Sequence, residues 1–192
     1  RIIIWALVAL LLIALLAWGV QGGKDGEGWF NGWEVPFIDL NFWGNTSYRY
    51  ANESRYSVGE ASMDIKDVIA IQVDWIDGGV TVVTGGTDQV SFSETAARQL
   101  KEEYRLRYYL EDGVLHIKYC ASGARFDFGR GPNKQLTIVV PESTVLTELK
   151  VSTVSGEIDA TGAQAATLRL NTTSGTVRLE QFSGQNAEVH SV

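Results

Sequence analysis

Two short stretches decide the fold: Glu148-Leu149-Lys150-Val151-Ser152-Thr153-Val154-Ser155-Gly156 and Thr167-Leu168-Arg169-Leu170-Asn171-Thr172-Thr173-Ser174-Gly175. They align position for position at an offset of 19 residues, and a third copy starts 19 later at Asn186-Ala187-Glu188-Val189-His190-Ser191-Val192. Each copy is too short to bury an apolar face alone, whereas stacked copies share one continuous core, which is the logic of a solenoid. Leu149, Leu168 and Ala187 are predicted to form one inward column, and Val151, Leu170 and Val189 the next. Ile158 and Val177 also correspond, and Ser-Gly at a fixed register suits a tight corner between the two faces of a rung. The sequence stops inside the third copy, so further residues beyond Val192 are expected.

Upstream of the repeat the apolar period is two, the signature of half-buried strands. Ile69, Ile71, Val73 and Trp75 alternate with Ala70, Gln72 and Asp74. Asp77-Gly78-Gly79 reads as a turn before a short strand at Val80 and Val82, which Gly85-Gly86 ends. Val90 and Phe92 begin another strand. Leu106, Tyr108 and Leu110 lead into Glu111-Asp112-Gly113 and then Leu115, Ile117 and Tyr119, a strong hairpin signal because Asp-Gly accepts positive φ at both turn positions. Leu136, Ile138 and Val140 make a strand stopped by Pro141. Thr95 to Glu103 is either a two-turn helix or a polar loop.

The other end of the chain differs. Ile2 to Val20 carries no charge and no proline, long enough for a helix to cross a hydrocarbon core of about 30 Å. Arg1 precedes it, while Lys24, Asp25 and Glu27 follow, so the positive-inside rule places the C-terminal part outside the cell. A cleaved signal peptide ending at Ala17-Trp18-Gly19 is the alternative, although the run exceeds the 7–15-residue core of such peptides. The first residue is Arg rather than Met, so a natural start upstream is expected. Ala6, Ala9, Ala14 and Ala17 form only a weak small-residue stripe for packing against other membrane helices. Residues 22–64 then mix glycine with Trp29, Phe30, Trp33, Phe37, Phe42 and Trp43, and five of the six tryptophans fall before residue 44. These aromatics suit a collar at the membrane surface, a partner-docking patch, or a cover on one end of the folded domain. Thr46 to Met63 reads as a linker or an edge strand. The expected organisation is an anchor at 1–21, a juxtamembrane linker at 22–64 and an all-β solenoid at 65–192.

Composition narrows the chemistry. The formal net charge is −7, opposite to the basic surface that nucleic acid demands. One cysteine, Cys120, excludes an internal disulfide, and with only His116 and His190 the usual four-ligand Cys/His zinc site is excluded too. No phosphate-cradling loop or dinucleotide fingerprint occurs, and no cofactor is expected. By parity His116, Lys118 and Cys120 share a strand face, taken as the outward one because Leu115, Ile117 and Tyr119 occupy the other. Asp74, Asp77, Glu157 and Asp159 are placed at turns and exposed strand positions, although a carbohydrate-active enzyme would use such carboxylates in pairs. The basic residues Arg98, Lys101, Arg105, Arg107, Lys118, Arg125, Arg130 and Lys134 are interleaved with acids, as on an ordinary mixed-charge surface. Gly123 to Gly131 bounds a loop carrying Phe126 and Phe128, a candidate binding tip.

Val73 to Val82, Glu111 to Cys120, Leu136 to Pro141 and the Val-Ser-Gly-Glu-Ile rung at 154–158 together resemble the bacterial putative-adhesin family of unknown function, over roughly residues 65–192. The resemblance implies a β-strand-repeat solenoid, an N-terminal membrane helix and an envelope location in Gram-positive bacteria, linked to envelope stress or regulation. It implies no catalytic residues. The expected function is a non-enzymatic scaffold, adhesin-like binding module or stress sensor. Its partners would be the lipid bilayer, another membrane or envelope protein, or cell-wall polymer. The alternative is an accessory subunit of a larger membrane complex.

Overall fold

The computed structural model describes residues 38–39, 47–86, 88–125 and 132–191. The apolar segment Ile2–Val20 and the aromatic contact candidates Trp29, Phe30, Trp33, Phe37, Phe42, Trp43, Phe126 and Phe128 lie outside the described residues. Among the described residues no helix is long and apolar enough to cross a membrane. The elements are β1 (Ile38–Asp39), β2 (Ser47–Tyr48), β3 (Ser57–Val58), β4 (Ala61–Asp64), β5 (Ala70–Thr84), β6 (Gln89–Ala96) and β7 (Arg107–Glu111). They continue as β8 (Val114–Lys118), β9 (Lys134–Val140), β10 (Leu146–Ser155), β11 (Ile158–Asp159), β12 (Ala165–Ser174), β13 (Val177–Arg178) and β14 (Asn186–Ser191).

The predicted stacking is present in its predicted register. β10, β12 and β14 run parallel, with Leu149 beside Leu168 beside Ala187, and Val151 beside Leu170 beside Val189. The Ile158–Val177 correspondence is the β11–β13 pair. Parallel in-register pairing superposes like side chains, so the alternation within one copy becomes an apolar column through the stack. Both columns extend further than the sequence repeat does. β5 pairs with β10 and β8, adding Ile71 and Leu115 to one column and Val73 and Ile117 to the other. All eight of these side chains from β8 to β12 are buried, whereas Val189 on β14 is 46% exposed.

β5 is the element that differs most from expectation. Asp77-Gly78-Gly79 is not a turn between two strands but a corner inside one 15-residue strand. Its first half pairs with β8 and β10, and its second half with β9 and β11. The strand therefore belongs to both faces of the solenoid. Gly78 makes the corner with φ of +92°, and the Asp77 carboxylate accepts a hydrogen bond from its N–H at 2.9 Å. Gly156 and Gly175 stack on it. A Cβ on Gly156 would overlap the Gly78 carbonyl, and one on Gly175 would overlap the Gly156 carbonyl. The Ser-Gly register of the repeat is thus a column of backbone-to-backbone contacts that tolerate only a hydrogen at Cα.

On the N-terminal side the chain turns antiparallel. β7 and β8 form the expected hairpin, with Asp112 and Gly113 both at positive φ (+50° and +79°), the geometry of a type I′ turn. β4, β6 and β9 extend the second face. The Thr46–Met63 stretch takes the edge-strand option, with β3 pairing to β7 and β4 to β6. Between Thr95 and Glu103 there is no α-helix: β6 continues to Ala96, and only a 3-10 turn forms at Glu102–Tyr104.

Candidate functional site

Outside the apolar columns, one side of the molecule holds a second, polar interior. It forms where residues 48–50 and 119–124 cover the outer face of β7, β8 and β5. Parity along β8 puts Leu115 and Ile117 into the main core and turns His116 and Lys118 the other way, as expected. That outer face is not free there, however. Lys118 is 8% exposed because Tyr48 and the 119–124 segment lie over it, and Cys120, within that segment, is buried. Asp74, expected on the surface, is 4% exposed and forms an ion pair with Lys118. The Tyr48 hydroxyl donates to the Asp74 carbonyl at 3.1 Å.

Lys134 is the most confined charge, with 0% exposure. Its ammonium donates to the Glu94 carboxylate (2.6 Å), the Tyr104 carbonyl (2.8 Å) and the Tyr119 carbonyl, matching its three N–H groups to three acceptors. It also lies 4.2 Å from the ring centre of Tyr119 and 4.8 Å from that of Trp75, within cation–π range. Burial pulls its pKa down, while Glu94 pushes it back up. Glu94 accepts a second bond from the Leu106 N–H, and the Trp75 indole donates to the Lys134 carbonyl. Burial likewise raises the Tyr48 and Tyr119 hydroxyls and moves the Cys120 thiol up to about 12. A thiol this buried is not a nucleophile at neutral pH.

From this interior a chain of rings runs to the surface. Tyr48, Tyr50, Tyr56 and Tyr109 follow at centroid distances of 5.4, 4.9 and 5.5 Å, and His116 stacks on Tyr109 at 6.5 Å. The Arg55 guanidinium covers the Tyr109 ring at 4.4 Å and bonds Glu111 at 2.6 Å. His116 is half-buried, and desolvation, then Lys118, lowers its pKa. His116 and Cys120 do not form a paired constellation. Among the described residues no group of three His, Cys, Asp or Glu side chains could hold a metal.

The other carboxylates singled out from the sequence have structural partners. Asp77 caps the Gly78 corner, and Asp159 accepts from the N–H and hydroxyl of Thr161 at 3.0 and 2.6 Å. Glu157 is exposed.

The backbone ties two of the sequence candidates together at this place. Tyr48 follows the aromatic collar stretch in the chain, and Gly123–Arg125 opens the Gly123–Gly131 loop. The Gly123 N–H donates to the Tyr48 carbonyl at 2.6 Å, and the Tyr48 N–H to the Ala124 carbonyl at 3.2 Å. The Tyr104 hydroxyl holds the Arg125 carbonyl at 2.9 Å. Lys134, three residues beyond Gly131, joins the same buried cluster. Sequence patterning missed this interior because its members, Tyr48, Arg107, Lys118 and Lys134, are polar residues on segments far apart in the chain. The one local signal was the density of tyrosines at 48, 50 and 56.

The sequence matches the family described as Toastrack DUF4097 over residues 67–192. No curated protein matches significantly. Two crystal structures are similar. One is a putative cell adhesion protein from Clostridium sporogenes ATCC 15579, with a TM-score of 0.49 and 14% identity, over 71% of this chain and 68% of that one. The other is a putative adhesin from Bacteroides fragilis NCTC 9343, with a TM-score of 0.25 and 9% identity, over 71% of this chain and 97% of that one.

Proposed function

Because the chain belongs to the Toastrack DUF4097 family of β-solenoid-like domains, we propose that it is a non-enzymatic binding module of the cell envelope. In this reading Ile2–Val20 anchors it in the bilayer and the solenoid stands outside as a rigid scaffold. The aromatic collar (Trp29, Phe30, Trp33, Phe37, Phe42 and Trp43) and the Phe126/Phe128 loop make the contacts. One observation carries the reading: hydrogen bonds between Tyr48 and Gly123–Ala124 hold the described ends of both aromatic segments at a single point on the domain. Two segments separated by about 80 positions would otherwise have no reason to act together. Exposed aromatics are the anchors that dominate protein interfaces, and they also favour the bilayer–water boundary.

The test is crosslinking in intact cells, then detergent extraction and mass spectrometry of what is retained with the full chain. A specific envelope or membrane protein should be recovered with the natural sequence. The Phe126→Ser/Phe128→Ser double variant and a Trp29→Ser/Trp33→Ser variant should each lose it. Recovery that is unchanged in both variants would overturn the role of these segments. Retention of wall polymer alone would reassign the partner to glycan.

A further inference from the structure

The sheet of β8, β5, β10 and β12 is covered differently on its two faces. Its inner face carries the buried apolar columns, Leu115, Ile71, Leu149 and Leu168 in one and Ile117, Val73, Val151 and Leu170 in the other. Residues 48–50 sit on the outer face, over the Lys118–Asp74 ion pair that joins β8 to β5. β2, which contains Tyr48, pairs with β1 in a two-stranded sheet of its own. Among the described residues, no strand of the stack pairs with residues 47–50. The apolar core is therefore closed without this segment, although Tyr48 itself is wholly buried.

Polar bonds to the non-strand segment 119–124 hold residues 48–50 in place. The backbone bonds of Tyr48 to Gly123 and Ala124 are joined by a reciprocal pair at Ser122. The Tyr50 N–H donates to the Ser122 hydroxyl oxygen, and that hydroxyl donates to the Tyr50 carbonyl, each at 3.2 Å. The Tyr50 hydroxyl donates to the Cys120 carbonyl at 3.1 Å, and the Tyr119 N–H to the Tyr48 hydroxyl oxygen at 3.4 Å. Bonds of this kind are exchanged for bonds to water when a segment lifts, so each one opposes lifting only weakly. Water that reaches the Lys118–Asp74 pair also returns hydration to two buried charges. What opposes lifting most is the Tyr48 ring, which would lose its cover. Beyond residue 50 the edge strands β3 and β4 attach the chain to β7 and β6, so lifting stops there.

We propose that residues 47–50 are a releasable strap, closed in nearly all molecules, that opens while the stack stays folded and so regulates whether the two aromatic segments act together. Closed, it ties the end of the collar stretch to Gly123 and Ala124. Open, it parts the two, and the inner columns are unchanged. This regulation rests on the contact surface proposed above: a partner that needs both segments binds the closed form and holds the strap shut. The crosslinking result does not depend on it, because recovery of a partner requires the aromatic side chains and not the opening of the strap.

The experiment is native-state hydrogen exchange of the full chain in detergent, read at single amides across low urea concentrations. The Tyr48, Tyr50 and Gly123 amides should be protected, yet exchange at least about tenfold faster than the slowest amides of β10 and β12. Their rates should barely change with urea, because lifting exposes little surface, whereas those of β10 and β12 should rise steeply. Val151→Ala weakens the stack whether the strap is open or closed. It should speed β10 and β12 about tenfold and leave the three strap amides unchanged. Tyr48→Ala should speed Tyr50 and Gly123 alike. The strap is overturned by any of four results: no protection at its amides, rates and urea slopes equal to those of the stack, equal acceleration of strap and stack by V151A, or a Y48A response at Tyr50 without one at Gly123.

Discussion

The stack of β10, β12 and β14 and the annex of residues 48–50 and 102–124 solve the same problem with opposite chemistry. In the stack, burial is apolar and repeated: Leu149 on Leu168, Val151 on Leu170, with a column of glycines at the corner. In the annex, burial is polar and singular: Lys134 on Glu94, Lys118 on Asp74, and tyrosine hydroxyls on backbone carbonyls. Hydrophobic columns are non-directional, so the stack's stability is spread over many small contacts. Buried ion pairs need every member in place, so the annex concentrates it in few. The stack should therefore fail through added atoms and the annex through removed charges.

The largest effect is expected at the corner column. Gly156→Ala puts a methyl group into the Gly78 carbonyl, a backbone atom that cannot swing aside. The expected loss is about 4 kcal/mol or more, enough to unfold a domain of ordinary stability. Gly123→Ala is the control. It has positive φ (+84°) but open space around the site, so it should cost only about 1 kcal/mol. Urea midpoints of the two variants check this. A small loss for G156A would mean that the rungs can separate at the corner, and the stack is then looser than its register suggests.

Next comes the annex. Glu94→Gln keeps an acceptor for the Leu106 N–H but leaves the wholly buried Lys134 without its counter-charge. Breaking such a pair costs about 3 kcal/mol, whereas Lys134→Met combined with Glu94→Met should recover most of the loss. A double-mutant cycle in urea measures the difference. If the double variant is as weak as the single, Lys134 contributes through its bonds to the Tyr104 and Tyr119 carbonyls rather than through charge.

These two regions were not equally legible. The 19-residue offset, the inward columns, the Asp112-Gly113 hairpin and the strand before Pro141 follow from short-range patterns that stacking preserves. β5 escaped because its place in the stack repeats nothing in the local sequence: Ile71 pairs with Leu149 across 78 residues. Gly78 looked like a chain reversal because a corner and a hairpin turn ask for the same residue. Parity placed Lys118 on the outer face correctly, but it says nothing about what lies over that face. Tyr48 does so from 70 residues away.

Alkaline pH should separate the regions further. Burial raises the pKa values of Tyr48, Tyr50 and Tyr119, that of Tyr56 to about 12, and that of Cys120 to about 12. Unfolding returns these groups to their usual values of 10.0 and 9.0, so above those values the unfolded chain binds fewer protons. Stability then falls as pH rises, by at most about 1.4 kcal/mol per pH unit for each fully buried group. Lys134 acts in the opposite sense: its pKa is lowered, so its contribution grows as pH climbs toward 10.5. Five acids outweigh one base, and the net slope is negative above about pH 9. Urea midpoints from pH 8 to 11 should show the decline, and Tyr48→Phe should make it shallower. A flat profile would mean that the annex opens to solvent before the stack unfolds.

The smallest effect has the opposite sign and lies in the stack. Thr153 and Thr172 occupy adjacent rungs at the register position of Trp75, both buried, at 3% and 4% exposure. Among the described residues their hydroxyl oxygens have no hydrogen-bond partner. In a core built on shape, such a hydroxyl is desolvated without return, and valine offers nearly the same outline with a methyl group in its place. Thr153→Val should therefore stabilise by about 1 kcal/mol. Thr172→Val should do the same, with the pair departing from additivity because the two side chains are in contact range. The readout is again the urea midpoint at constant slope. If either variant is weaker than the natural protein, its threonine makes a bond through water. The stack would then share the annex's dependence on satisfied polar groups, and the contrast between the two regions would be one of degree.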